Sequence, residues 1–98
     1  IGEKETTALF RIFQEILTNV AMHSGATEVH VTLNRVENEL KLNVRDNGRG
    51  ISRKEIEDSD SLGILGMKER TRNLGGKFRI HGIEGEGTNV NVAIPVKS

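Results

Sequence analysis

Asp46-Asn47-Gly48-Arg49-Gly50-Ile51 decides how the rest of this chain is read. Leu40, Leu42 and Val44 lead into it, alternating with Lys41, Asn43 and Arg45 as a half-buried strand does. Period two therefore puts Asp46 on the apolar, inward face. A carboxylate facing a core needs a partner, and nothing in the neighbouring sequence supplies one. Gly48 and Gly50 let the backbone turn sharply and approach something closely. The plain alternative is a strand end and a glycine turn, with Asp46 accepting from a nearby backbone N–H.

Upstream, Leu9, Ile12, Phe13, Ile16, Leu17 and Val20 recur at helical spacing, which predicts a core-facing helix from about Thr7. Thr6 or Thr7 is its N-cap and Ser24-Gly25 its stop. At about 100° per residue, Glu15, Asn19 and His23 fall along one margin of the apolar stripe, where a site would be lined. The alternative makes Glu15 and Asn19 boundary polar groups and His23 a partner of the helix dipole. Between this helix and Asp46, Thr27 to Val36 reads as a strand with Val29, Val31 and Leu33 inward, turning at Glu37-Asn38.

Downstream, Ser52 to Leu62 is charged, offers only Ile56 for burial and reads mainly as a mobile loop suited to a lid, with room for a short helical turn. Gly63-Ile64-Leu65-Gly66-Met67 opens a second helix to about Leu74, stopped by Gly75-Gly76. Glycines at a helix start expose N–H groups that favour anions, although packing or capping also accounts for them. Lys77 to Gly82 is a third strand, and Thr88 to Pro95 a fourth with Val90, Val92 and Ile94 inward. By parity Thr88 faces the same way as Asp46. One apolar face per strand and one apolar stripe per helix predict an α+β two-layer sandwich: a mixed, mostly antiparallel sheet with helices on one face.

At 98 residues the chain holds one domain. Fourteen acidic residues balance 14 basic ones, with no basic block interleaved with aromatics, which argues against nucleic acid as a partner. There are no cysteines, so disulfide scaffolds and thiolate metal sites are excluded. No apolar run approaches the ~20 residues of a membrane span and no signal-peptide pattern opens the chain, so a soluble piece without membrane contact is expected. The Gly-x-Gly-x-x-Gly fingerprint is absent, and Gly76-Lys77 is followed by Phe78 where a P-loop needs Ser or Thr. No metal cage or nucleophile elbow is visible.

What remains is a constellation that resembles a known family. Glu15-Ile16-Leu17-Thr18-Asn19-Val20-Ala21-Met22-His23-Ser24 resembles the N-box of the Bergerat-type ATP-binding domain. Asp46 to Gly50 resembles its first glycine box, Gly63 to Met67 its second, and Gly85-Glu86-Gly87-Thr88 its closing Gly-x-Gly-Thr. Within that superfamily of gyrase, Hsp90, histidine kinase and MutL ATPases (GHKL), three features resemble short-lid sensor histidine kinases of the NarL/DesK-like branch. They are Phe10-Arg11-Ile12-Phe13-Gln14-Glu15, the short loop from Ile51 to Leu62, and Gly66-Met67-Lys68-Glu69-Arg70.

The resemblance implies a cytoplasmic catalytic domain that binds ATP and Mg²⁺ and donates the γ-phosphoryl group to a histidine on a separate dimerisation domain, in two-component signalling with a response regulator. Asp46 would accept from the adenine exocyclic amine, with Thr88 in support, and Asn19 would offer an oxygen to Mg²⁺. Glu15 would hold a metal-bound water or handle a proton. His23, where the family often has a basic residue, would face the phosphates. Gly48, Gly50, Ile51, Gly63, Leu65, Gly66 and Met67 complete the implied nucleotide site. None of His23, His30 and His81 is followed by an acidic residue, so the phosphoacceptor is expected on another segment of a parent protein that can be membrane-anchored. Such domains usually carry a further strand and helix first, so residues 1–98 read as N-terminally truncated. The competing functions are an ATP-hydrolysing member of the superfamily, an anti-sigma-type serine kinase, and a non-catalytic interaction module.

Overall fold

The computed structural model describes residues 3–57 and 63–96. Helix α1 (Glu3–Asn19) runs into a π-helical turn over Val20–Ser24, and β1 (Val29–Val36) and β2 (Glu39–Asp46) form a hairpin. Then come α2 (Arg53–Glu57), α3 (Ile64–Asn73), β3 (Lys77–Ile83) and β4 (Gly87–Pro95). The four strands lie in the order β1-β2-β4-β3 and every described ladder is antiparallel. Helices cover one face, giving the expected two-layer α+β sandwich.

Register shows why the alternating residues meet. Leu40 pairs with Ile94, Leu42 with Val92 and Val44 with Val90, while Phe78 and Ile80 extend two of these rows onto β3. Directly opposed residues share a face, so each row presents apolar side chains to the helical layer. Leu9, Ile12 and Ile16 of α1 and Ile64 and Met67 of α3 complete the buried cluster. Each such side chain contributes about 1.5–3 kcal/mol on full burial. Thr71 is also fully buried, and it satisfies its hydroxyl by donating to the Met67 carbonyl at 2.8 Å.

Four details differ from the pattern reading. First, α1 is already helical at Glu3, so Thr6 and Thr7 lie inside it rather than capping it. Glu3 and Glu5 in its first turn suit the positive end of the helix dipole. Second, the helix widens into the π-turn after Asn19 before stopping at Gly25 (φ 64°). Third, Val29, Val31 and Leu33 pair with Asp46, Val44 and Leu42 and so share the core-facing side, yet all are exposed, Leu33 to 55%. The helices lie over β2, β4 and β3, and β1 extends beyond their cover. Fourth, the segment after Ile51 is an anchored helix, α2, with Ile56 packed against the core. Residues 58–62 of the expected lid lie outside the described residues.

Helix α3 ends as Gly75-Gly76 requires. The Gly75 N–H donates to the Arg72 carbonyl at 2.8 Å and the Gly76 N–H to that of Thr71 at 2.9 Å, with Gly75 at φ 75°. This left-handed stop closes the last helical turn.

Candidate functional site

Asp46 and Thr88 face each other across the β2–β4 ladder at the end of its apolar rows, one step beyond Val44 and Val90. Asp46 is 7% exposed. Its partner is local after all: the Gly48 N–H donates to Oδ1 at 2.8 Å, closing an Asx-type turn that the Asp-x-Gly spacing allows. A side chain at Gly48 would run into Ser24, so this glycine lets the turn pass beneath the end of the first helix. Thr88 accepts from the Ile51 N–H at 3.0 Å, which fastens the end of the glycine segment to β4. Gly82 of β3 gives Ile51 its room, since any Cβ there would strike the Ile51 backbone.

Above this floor lies a cleft of about 520 Å³, counting the space it shares with open solvent. Ile16, Val44, Met67, Ile80 and Val90 supply apolar walls, and Asn19, His23, Ser24, Asp46, Arg49 and Thr88 the polar groups. Val20, Gly50 and Ile51 complete it. Of the residues singled out in the sequence, Asn19, His23, Asp46, Gly50, Ile51, Met67 and Thr88 are thus brought together. The π-turn matters here, because at more than four residues per turn it presents both His23 and Ser24 to the cleft.

Five candidates lie off the cleft wall. Gly48 sits beneath it, as described, and Leu65 is 51% exposed. Gly66 has open space where a side chain would project. Glu15 turns toward the start of α3, where its Oε1 would be 2.5 Å from a Cβ at Gly63. Gly63, at φ 69°, therefore accommodates the Glu15 carboxylate. Conversely, the cleft contains Ile16, Val20, Ser24, Val44, Arg49, Ile80 and Val90, which were not singled out as site residues. Parity could have found Val44 and Val90, two positions from Asp46 and Thr88 on the same face.

Arg49 is the only lysine or arginine on the wall among the described residues. Its Nη1 and Nη2 meet Glu55 Oε1 and Oε2 at 2.9 and 2.7 Å, a two-pronged pair, and Nε donates to the His23 carbonyl at 2.7 Å. Glu55 also accepts from the Ser52 N–H at 3.1 Å while its own N–H donates to Ser52 Oγ at 3.1 Å. This reciprocal cap is written in the sequence as Ser52-x-x-Glu55. The Arg49 hydrogen bonds, followed by that from the Ser52 N–H, hold the Glu55 carboxyl down at about 2, and the same pairing raises Arg49.

No group of three or more His, Cys, Asp or Glu able to hold a metal is found among the described residues, so a dedicated protein cage is not the chemistry on offer there. The amide of Asn19 suits a hard cation that brings most of its oxygens with a ligand. Nor is any described helix long and apolar enough to cross a membrane.

Comparison with known proteins agrees with this geometry. Residues 4–98 match the model of the histidine kinase-, DNA gyrase B- and HSP90-like ATPase family. The chain is 42% identical over 88 residues to sensor histidine kinase LiaS of Bacillus subtilis, covering 90% of this chain and 24% of that protein. It is 41% identical over 87 residues to sensor histidine kinase ComP of the same organism, covering 88% and 11%. Sensor protein VraS of Staphylococcus epidermidis is 38% identical over 88 residues, covering 90% and 25%. The chain thus spans about a quarter or less of these relatives. In structure it superposes on the histidine kinase domain of the Erythrobacter litoralis blue-light activated histidine kinase EL346 with a TM-score of 0.82, over 95% of this chain and 45% of that one at 24% identity, which is a likeness of fold. An antiparallel sheet roofed by helices, a carboxylate at the end of the apolar rows and a family match over nearly the whole length lead to one conclusion: the chain belongs to the histidine kinase-, DNA gyrase B- and HSP90-like ATPase family.

Proposed function

We propose that this domain binds Mg-ATP in the cleft and donates the γ-phosphoryl group to a histidine on a separate dimerisation and phosphoacceptor domain, in a two-component pathway that continues to a response regulator. The carrying observation is the placement of one buried carboxylate, Asp46, beside Thr88 at the end of the apolar rows that floor the cleft. A flat aromatic base fits between the cleft's apolar walls, and Asp46 accepts from the exocyclic amine of adenine. Guanine has a carbonyl at that position and brings no donor, so the buried acceptor would be left facing another acceptor.

Asn19, one step along the wall, provides an oxygen for Mg²⁺ when nucleotide is bound, and the cation neutralises phosphate charge. His23 and Ser24 offer groups toward the phosphates from the π-turn. Glu15 lies one helical turn before Asn19, against Gly63, where it would orient a water or handle a proton from outside the cleft wall. Gly63, Leu65 and Gly66 bring the start of α3 to the phosphates, and Gly48, Gly50, Ile51 and Met67 shape the base pocket. Most of the work is positioning and charge neutralisation.

Calorimetric titration with ATP and GTP tests the reading. ATP is expected to bind and GTP to bind at least tenfold more weakly; equal affinities would remove the adenine assignment. Asp46→Asn retains an oxygen for the Gly48 N–H but places a donor toward the base, and is expected to weaken ATP by about 1–3 kcal/mol with little change in thermal stability.

A further inference from the structure

Arg49 stands between Gly48, beneath the cleft, and Gly50, on its wall. Its backbone is fixed on both sides: its N–H donates to the Ser24 carbonyl at 2.8 Å, and its carbonyl accepts from Gly85 at 2.8 Å. Its side chain then joins two elements far apart in sequence. Nε holds the His23 carbonyl at the C-terminal end of the π-turn, where a cation also suits the helix dipole. The remaining prongs hold both oxygens of Glu55 in α2, and Nη1 reaches the Gly50 carbonyl at 3.3 Å.

A five-residue helix does not stand by itself. Besides the packing of Ile56, the side-chain ties that hold α2 among the described residues are the Ser52–Glu55 cap and the Arg49–Glu55 pair. The pair closes a small ring of chain from Arg49 to Glu55, and Ile51 lies within it, on the cleft wall and bound to Thr88. The same guanidinium thus fixes Ile51 from one side and the His23 backbone from the other. Both of its principal partners, Glu55 and the His23 carbonyl, are protein groups, and between them they engage Nε, Nη1 and Nη2.

We propose that Arg49 is a positioning residue of the nucleotide site, one that sets the relative placement of the His23 turn and the Ile51–α2 segment by clamping Glu55 and the His23 carbonyl. This rests on the reading of the cleft as a nucleotide site. Arg49 acts through α2 and the π-turn, not by touching ligand, so breaking the pair from either end loosens α2, and loss of Arg49 also releases the His23 carbonyl.

The test uses the 98-residue chain and the variants Arg49→Ala, Arg49→Lys, Glu55→Gln and the double variant Arg49→Ala/Glu55→Gln. Without ligand, amide exchange from Ser52 to Glu57 is expected to accelerate about two- to fivefold in both Ala and Gln single variants, with the sheet amides unchanged. The double variant is expected to be no faster than the faster single one. In calorimetry, Mg-ATP is expected to bind about two- to fivefold more weakly to each single variant and to the double variant alike. Arg49→Lys keeps the charge but not the fork and is expected to fall between. Unchanged exchange in α2 overturns the clamp. So do additive losses in the double variant, or weaker Mg-ATP binding in Arg49→Ala with none in Glu55→Gln, which would leave the Glu55 arm without a role at the site. Glu55→Gln keeps the test open if Arg49→Ala fails to fold. Failure of the unsubstituted chain to bind Mg-ATP would overturn the nucleotide reading itself, and is distinguishable because the exchange arm contains no nucleotide.

Discussion

Glu55 shows how one residue's titration follows from its neighbours. Its carboxyl is lowered from an ordinary 4.5 to about 2, first by the hydrogen bonds from Arg49 and then by that from the Ser52 N–H. A depressed carboxylate stabilises the fold in full above the unfolded value, and that contribution is lost as pH falls through the folded one. The anchoring of α2 should therefore persist through mild acid and fail only near pH 2. Side-chain carboxyl NMR of Glu55 checks this, and a midpoint near 4.5 would mean the pair does not form in solution. Because the Arg49 side chain is 50% exposed and that of Glu55 34%, the pair itself is worth no more than about 1 kcal/mol; its effect is on geometry. Asn19 supplies a second expectation at this scale. Asn19→Ala should weaken ATP binding more in Mg²⁺ than in EDTA, since its oxygen is assigned to the metal and not to the base. An identical loss in both buffers would make Asn19 a polar residue of the helix margin only. Asp46 and Thr88 were legible from strand parity. Arg49 was not, because its partners lie 26 residues before it and 6 after it, on elements that no single periodicity spans. The Ser52-x-x-Glu55 cap was the available clue.

Among the elements, strands β2 to β4 and helix α3 were legible, since each is half buried and its pattern reports the buried half. What periodicity does not report is cover. Val29, Val31 and Leu33 alternate as a core-facing set and lie on the core-facing side, yet no described helix reaches over them. The π-turn was hidden for a related reason: its geometry is held from outside by Arg49 on the His23 carbonyl, with Ser24 Oγ donating within the turn to the Val20 carbonyl at 2.7 Å. Glycines on two elements make contrasting predictions. Gly66 lies inside α3 with nothing within 4 Å of an added Cβ, so Gly66→Ala should stabilise the fold by about 0.5–1 kcal/mol. If α3 approaches bound phosphates as proposed, the same change should weaken Mg-ATP binding. Gly82→Ala instead places a Cβ against the Ile51 backbone and should destabilise by about 1–3 kcal/mol. Urea denaturation midpoints measure both, and a neutral Gly82→Ala would show that Ile51 is not held where it lies here.

For the whole molecule, the sandwich separates its two faces by function. The helical side carries the cleft, while the opposite face of the sheet is wet and carries His30 and His81, which pair with Arg45 and Asn89. Those two histidines are a full sheet thickness from the side toward which Asp46 and Thr88 point. His23 is on the cleft, but its backbone carbonyl is tied by Arg49 and its turn forms the wall. In-line transfer needs a nucleophile about 3–3.5 Å from the γ-phosphorus and opposite the leaving oxygen, whereas a wall residue approaches the phosphates from the side. The 98-residue chain with Mg-ATP is therefore expected not to phosphorylate itself on histidine. Transfer is expected to appear when a separate dimerisation domain bearing an acceptor histidine is added or fused. Radiolabelled γ-phosphate, followed by acid and base treatment, reads the outcome directly. An acid-labile, base-stable label on the isolated chain that disappears with His23→Ala would make His23 an acceptor and overturn its place in the wall. Steady release of inorganic phosphate without any acceptor, lost with Glu15→Gln, would instead move the domain to the ATP-hydrolysing members of its family, with Glu15 as the base.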